Sequence, residues 1–580
     1  MKRVLTVVLA GLAIGTQFSA AASVAAPTPA VAGAAVRPAA VADGALAGRL
    51  AAPGPLAVEG RALAHGDSVR RFYTERKGQA AWTGPSGLTA QGAAVVAALQ
   101  DAAAEGLDPA DYLPASIKAR LVPATAERRV ELELLISDAL MSYAVHLRSG
   151  RLDPAGLDEA FAVAPVALDP VAAAQAIATA PDATAKLAAL APPHLDYAAL
   201  RKALAVYREA VAAGRGWPAA GPGPILKPGM QDASVPALRR RLASTGEFAG
   251  ADLDSDIYDE ELEAAVKLFQ ARTGLGDDGV VGVRTRAQLN VSLERRIQQI
   301  VVNMERLRWL PDRLGDRHVI VNQPDYSLKA VEGGAVKLQM PVIVGSAVRQ
   351  TPILASRIGH LVFNPTWTVP ETIAREDILP KAIKDPGFFI RENITIREGW
   401  GEDAMVVNPY DVDWKRVGKG ITRYRLRQEA GPTNPLGTVK FMFPNAFDVY
   451  LHDTPQRGKF TRDVRTLSSG CVRVGDPDAL TAFLFSGMAD WPAERIQQVR
   501  DAGQTRTVYL RRPVPVYLTY QTVVPDPESG VQFRPDIYDR DQLMIQALAK
   551  RHAGSLKVAA VPATTPAMVP AATPAKATSP

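Results

Sequence analysis

Apolar positions recur at helical spacing through the first half of the chain and give way to strand-like runs in the second. Between Glu59 and Gly216, Ala- and Leu-rich segments alternate with breakers such as Gly106-Leu107-Asp108-Pro109 and Leu152-Asp153-Pro154-Ala155-Gly156. In Glu131–His146 the apolar residues fall three and four apart. This predicts a helical domain over 59–216. A Gly- and Pro-rich run around Trp217 marks a boundary. Beyond it, over 226–292, Val235, Leu238 and Leu242 form one apolar stripe and Leu262, Ala265, Val266 and Phe269 another, with Asp256 or Asp259 available as a cap. Tight turns follow at Gly274-Leu275 and Asp278–Gly282, and Thr285 can cap a last short helix ending at Leu289. Together these predict a small three-helix unit. From 293 to 545, β-branched and aromatic runs predict strands at Val319–Asn322, Val336–Val344, Leu361–Phe363, Val449–Leu451 and Val508–Leu518. The stretch at about 372–430 mixes Pro, Gly and charge around Trp400 and Trp414 and predicts an inserted lid. The expected fold class is multidomain α+β: a helical scaffold domain, a three-helix module and a mainly-β domain carrying the insertion.

Composition changes the picture at the ends and in one other respect. Lys2 and Arg3 precede an apolar Val4–Ile14 and a run of small residues, the pattern of a signal peptide over 1–22, with an uncleaved anchor as the rival reading. Residues 23–58 and 553–580 are rich in Ala and Pro and predict a flexible linker and tail. No other stretch approaches the length of a membrane span. A formal net charge of +6 on 580 residues is too small for a nucleic-acid binder, which would show a dense basic stripe. Cys471 is the single cysteine. In an exported chain it can form no internal disulfide, so it is either a reactive or partner-bonded thiol or an inert core residue.

The chemistry concentrates in Tyr450-Leu451-His452-Asp453-Thr454-Pro455 and Leu467-Ser468-Ser469-Gly470-Cys471-Val472-Arg473, with Cys471 nineteen positions after His452. A thiol with an ordinary pKa of about 8.5 needs a neighbour to take its proton before attacking an amide, and a histidine suits that task. The Ser-Ser-Gly turn can present Cys471 and aim the backbone N–H groups of Gly470 and Cys471 at a developing oxyanion. Arg473 suits a substrate carboxylate or a structural ion pair. Asp476 and Pro477 predict the N-cap and first position of a helix. His65 and His146 read as surface or capping residues, and His318, His360 and His552 show no ligand spacing. No metal site and no cofactor are expected.

Two resemblances sharpen this. Residues Val266 to Phe269-Gln270, Gly274-Leu275, Asp278-Gly279, Gly282, Thr285 and Leu289 resemble a peptidoglycan-binding module, which implies a groove for cell-wall strands unless the unit is a spacer. The His452 and Ser-Ser-Gly-Cys471-Val-Arg473 strings resemble the YkuD-type L,D-transpeptidase catalytic domain. Ser469 stands where many members have His, a departure that points to the large multidomain branch. Asn364–Pro370, Asn434-Pro435-Leu436-Gly437, Lys440–Asn445, Val514–Tyr520 and Asp536–Asp541 extend the likeness, and Gly106–Pro109 resembles that branch's helical scaffold. The resemblance implies a Cys471 thioester, with His452 as base, formed on the third residue of a stem peptide as terminal D-Ala leaves. A second stem's amine then resolves it to a 3→3 cross-link. It further implies Ser469 and Gly470 beside the nucleophile, Trp367 and Tyr450 as cleft walls, and carbapenem modification of Cys471. Expected partners are peptidoglycan stem peptides and glycan strands, with other cell-wall synthesis proteins as candidates. The expected location is the periplasm. Water as acceptor (an L,D-carboxypeptidase), a protein lysine as acceptor (lipoprotein anchoring) and a non-catalytic wall-binding scaffold remain alternatives.

Overall fold

The computed structural model describes residues 44–553 apart from 113–114, 122–124, 402 and 528–529. The expected signal peptide, the first part of the linker and nearly all of the tail lie outside these residues. Where the linker enters the described region it is folded. Gly44–Ala51 is a helix, and Leu46, Leu56 and Val58 are buried in the first core. Composition hid this because three apolar contacts among many Ala and Pro residues carry no period.

Six further helices of six or more residues build the scaffold: Gly66–Glu75, Ala90–Gln100, Ala126–Ser149, Pro170–Ala178, Ala183–Ala188 and Leu195–Ala212. Thr89, Thr125, Asp169 and Asp182 cap four of them through their side chains, each accepting from a backbone N–H of the first turn. The long Ala126–Ser149 helix is buried on most sides. Its Glu133, 1% exposed, accepts from the Tyr73 hydroxyl, the Thr83 hydroxyl and the backbone N–H groups of Ala81, Trp82 and Thr83. A buried carboxylate is tolerable only when so fully bonded. His146 is not at the surface as expected: it is buried and shares a hydrogen bond of 2.8 Å with the Tyr112 hydroxyl.

The second unit has its own core of Val235, Leu238, Leu242, Tyr258, Leu262, Val266 and Phe269 on three helices, Val235–Ala243, Glu260–Arg272 and Val283–Leu289. Asp259 is the cap of the middle helix. Thr285 does not cap the last one. Gly282 occupies that position, while Thr285 is buried in the first turn, donating to Val280 O and accepting from Gln270 Nε2.

The third unit is a ten-stranded sheet in which eight strands close on themselves: β1 Arg317–Asn322, β2 Ser327–Glu332, β3 Ala335–Gly345, β4 Ile353–Phe363, β5 Val439–Met442, β6 Leu451–His452, β7 Val472–Val474 and β8 Arg506–Thr519, with Thr466–Ser468 added beside β3. Their order is β5-β6-β7-β3-β2-β1-β8-β4, and β5 closes the circle on β4 through Val439↔Phe363 to Met442↔His360. Closure leaves no long free edge. Val319, Val321, Leu328, Val342, Leu361, Phe441, Leu451, Val472 and Val516 fill the interior. β6 is shorter than the expected Val449–Leu451 strand because Asp448, with φ 53°, breaks the extended chain just before it.

Between β4 and β5 the insertion runs from Trp367 to Gln428. It has its own sheet, in the order Trp367–Thr368, Tyr424–Gln428, Ile394–Glu398, Met405–Val406, and its own core around Phe389, Ile396, Trp414 and Leu426. It starts earlier than the expected residue 372, since the Trp367–Thr368 strand belongs to it. The scaffold and barrel interlock. Phe161–Ala162 adds to β4, the Leu293–Leu307 helix sends Ile300, Met304 and Leu307 into the scaffold core, and the Val523–Asp526/Gly530–Phe533 hairpin does the same with Val523, Val531 and Phe533. The final helix, Arg540–Ala553, passes the expected end at 545. Among the described residues no helix is long and apolar enough to cross a membrane.

Candidate active site

β6 and β7 run parallel with His452 opposite Arg473 and Leu451 opposite Val472. This register carries Tyr450 alongside Cys471, and the Val472 N–H donates to Tyr450 O at 3.1 Å. Nineteen residues of sequence separation thus collapse to neighbouring strands. The turn before β7 is tied together. Ser468 Oγ donates to Cys471 O at 2.5 Å and accepts from Gly470 N–H at 3.3 Å, while Thr351 Oγ1 donates to Gly470 O at 2.7 Å. Gly470 sits at φ 110°, which only glycine adopts without strain. The Gly470 N–H was expected to face an oxyanion; it is instead engaged by Ser468.

His452 is 4% exposed, and its Nδ1–H donates to Asp453 O at 2.5 Å. A carbonyl can only accept, so the proton is fixed on Nδ1 and Nε2 is left with its lone pair. Burial, then the nearby Arg473 and Lys440 charges, push the imidazole down to about 3, against the opposing pull of the Asp453 carbonyl. The same burial pushes the Cys471 thiol up to about 11; the Tyr450 backbone N–H and phenol, Arg473 and Lys440 oppose it. Both partners are therefore neutral at ordinary pH. No hydrogen bond joins Sγ to the imidazole among the described residues. Tyr450 touches both, with its ring edge-on to His452 at 5.7 Å. Sγ lies 3.9 Å from Asp448 O.

The remaining expected residues divide. Arg473 donates to Gln456 Oε1 at 3.0 Å, burial lowers its pKa, and among the described residues it pairs with no carboxylate. Ser469 Oγ accepts from Arg349 Nη1 at 2.7 Å. Trp367 packs on the insertion's own core, at the start of the insertion.

The sequence reading left three contributors without a role here. Lys440 on β5 faces His452 across the strand pair and holds its ammonium 5.5 Å from the centre of the Tyr450 ring. The Asp453 carbonyl orients the histidine. The Asp453 side chain faces elsewhere, accepting from Thr438 N–H and Oγ1 and from Thr454 N–H. Thr351 holds the turn. The lysine was foreseeable from strand register. The resemblance implies a backbone carbonyl as the group that orients the histidine, but which carbonyl, and the part of Thr351, were not foreseeable, since neither leaves a side-chain motif beside the histidine or cysteine.

Three segments of the chain match known protein families. Residues 316–491 match the L,D-transpeptidase catalytic domain family, residues 231–289 the "Putative peptidoglycan binding domain" family, and residues 67–204 the scaffold domain family. The chain thus carries a YkuD-type L,D-transpeptidase catalytic domain preceded by a scaffold domain and a peptidoglycan-binding domain. A curated protein of Haemophilus influenzae, "Putative L,D-transpeptidase", is 38% identical over 245 residues, covering 42% of this chain and 48% of that relative. The chain therefore spans about half of that relative's length. Solved L,D-transpeptidase structures from Xylanimonas cellulosilytica (residues 123–326) and Stackebrandtia nassauensis are each 16% identical. They cover 52% of this chain and 100% and 96% of their own, with TM-scores of 0.17 and 0.20.

Proposed function

We propose that the protein is an exported, periplasmic L,D-transpeptidase that joins peptidoglycan stem peptides 3→3 through a thioester on Cys471. The observation that carries the reading is the tautomer of His452. With Nδ1–H donated to Asp453 O and the ring buried and neutral, Nε2 is a base held ready beside a thiol that cannot ionise on its own. Nε2 takes the thiol proton as sulfur attacks the carbonyl of the third stem residue. The carbonyl oxygen becomes an oxyanion, which the Cys471 N–H receives. As the tetrahedral intermediate collapses, the C–N bond to the terminal D-Ala breaks and the imidazolium protonates the leaving amine. The side-chain amine of a second stem then attacks the thioester, loses its proton to Nε2, and releases the Cys471 thiol with a new amide bond. Arg473, a cation beside the thiol with no carboxylate partner among the described residues, suits the donor's free carboxylate. The peptidoglycan-binding domain supports cell-wall strands as the partner. The Lys2–Ala22 pattern supports export.

The test is incubation of the purified protein with tetrapeptide muropeptides, followed by mass spectrometry. The expected products are free D-Ala and a 3→3 dimer, with carbapenem forming a one-to-one adduct on Cys471; the Cys471→Ala variant gives none of these. Tripeptide without dimer would make water the acceptor, and transfer only to a protein lysine would make it an anchoring enzyme. Wall binding with no product from the parent protein would leave a non-catalytic scaffold.

A further inference from the structure

One side chain outside the catalytic pair touches both the lid and the nucleophile's turn. Arg349 stands on the loop between β3 and β4. That loop is anchored to the C-terminal segment, where Tyr538 hydroxyl donates to Gly345 O at 2.6 Å and Arg540 Nη2 to Thr351 O at 3.1 Å, and it is braced internally by Arg349 N–H to Ser346 O at 3.1 Å. It is also anchored to the catalytic turn, through Ser346 N–H to Ser468 O at 2.9 Å and the Thr351 bond to Gly470 O. From this fixed base the guanidinium reaches two ways. Nη1 donates to Ser469 Oγ at 2.7 Å and to Asp377 Oδ2 at 2.6 Å. Nη2 donates to Asp377 Oδ1 at 3.1 Å and Glu376 Oε2 at 2.8 Å. All four terminal N–H groups are in use.

The two carboxylates sit on a π-helical turn, Ala374–Ile378, whose Ala374 and Ile378 are buried in the lid core. They therefore move only with the lid. An exposed ion pair contributes little as a rule. A bidentate arginine shared between two carboxylates and a hydroxyl is different, because its planar fork fixes direction as well as contact. A lysine could not satisfy all these acceptors in the same plane.

We propose that Arg349 is a positioning residue that couples lid docking to the orientation of the Ser469-Gly470-Cys471 turn. The lid carboxylates set the guanidinium plane. The guanidinium holds Ser469 Oγ, and the turn so held aims Sγ. The proposal rests on the Cys471 acylation reading above. It predicts that lid residues control the chemical step and not merely ligand retention.

The test is stopped-flow acylation of the full chain by a carbapenem, separating the limiting rate constant from the half-saturating concentration. The Glu376→Gln/Asp377→Asn double variant leaves the catalytic pair and Ser469 intact. It should lower the limiting rate constant about tenfold while the half-saturating concentration stays within about twofold. In an Arg349→Ala background the same lid substitutions should cause no further loss. If Arg349→Ala does not fold, as judged by its thermal midpoint, Arg349→Lys serves as the background. An unchanged limiting rate, or an equal loss in the Arg349-substituted background, overturns the coupling. A loss confined to half-saturation also overturns it, since that is what a simple cover would give. A parent protein that never acylates at Cys471 overturns the underlying reading instead.

Discussion

At the scale of single residues, the site is governed by desolvation. His452 and Cys471 are both moved away from their charged forms by burial, so the resting pair is imidazole and thiol. The sign of the pH dependence follows. An ordinary histidine would gain its proton near pH 6.5, whereas burial holds His452 neutral down to about pH 3. Acylation of Cys471 should therefore fall by less than about twofold between neutrality and about pH 5; a limb centred at the ordinary histidine value would refute the desolvated imidazole. Arg473→Ala removes the second-largest influence depressing His452, so the acid limb should move upward in that variant. Gly470→Ala places a side chain at φ 110° and should cost about 1–3 kcal/mol of stability, read from the thermal or urea midpoint, together with acylation rate, since the turn must relax.

At the scale of elements, two local devices carry more than their size suggests. Gly437, at φ 59°, lies where a Cβ would run into the Asp453 carboxylate. Gly437→Ala should displace Asp453, whose carbonyl fixes the His452 tautomer. Activity should then fall further than stability, measured as limiting acylation rate against thermal midpoint. In the scaffold, Glu133 satisfies three backbone N–H groups and two hydroxyls with one carboxylate. Glu133→Gln replaces one acceptor oxygen with an amide that points donors at donors. It should destabilise the protein by about 2 kcal/mol, measured by chemical denaturation.

At the scale of the whole molecule, the Leu293–Leu307 helix joins what the chain order separates. It contributes to the scaffold core, and its Arg306 forms a buried pair with Asp541 of the final helix at 2.6 Å. Removing one partner of such a pair leaves an uncompensated charge, so Arg306→Ala should cost about 3–5 kcal/mol. Because the 523–533 hairpin also lies in the scaffold core, the scaffold and barrel should melt in one calorimetric transition. A separate scaffold peak would count against that interlock. The peptidoglycan-binding domain, with a core of its own, is free to show a second transition.

The sequence alone determined the division into helical and strand-rich parts, the three-helix module, the string that holds Cys471 and His452, and the insertion. Each of these is written in local periodicity or in a contiguous string. The capping of the helices at Asp259 and Asp476 was legible for the same reason: a cap acts within one turn. What only the tertiary structure decided are the contacts between distant segments. The burial of Leu46, Leu56 and Val58, and the sharing of the Leu293–Leu307 helix between two domains, depend on surfaces that no local pattern encodes. So do the carbonyl that holds His452 and the Arg349 bridge to the lid, since a backbone oxygen has no sequence signature and an arginine's partners are chosen in space. The sequence could single out Cys471 and His452; burial, which is a property of the folded whole, decided that both are held neutral.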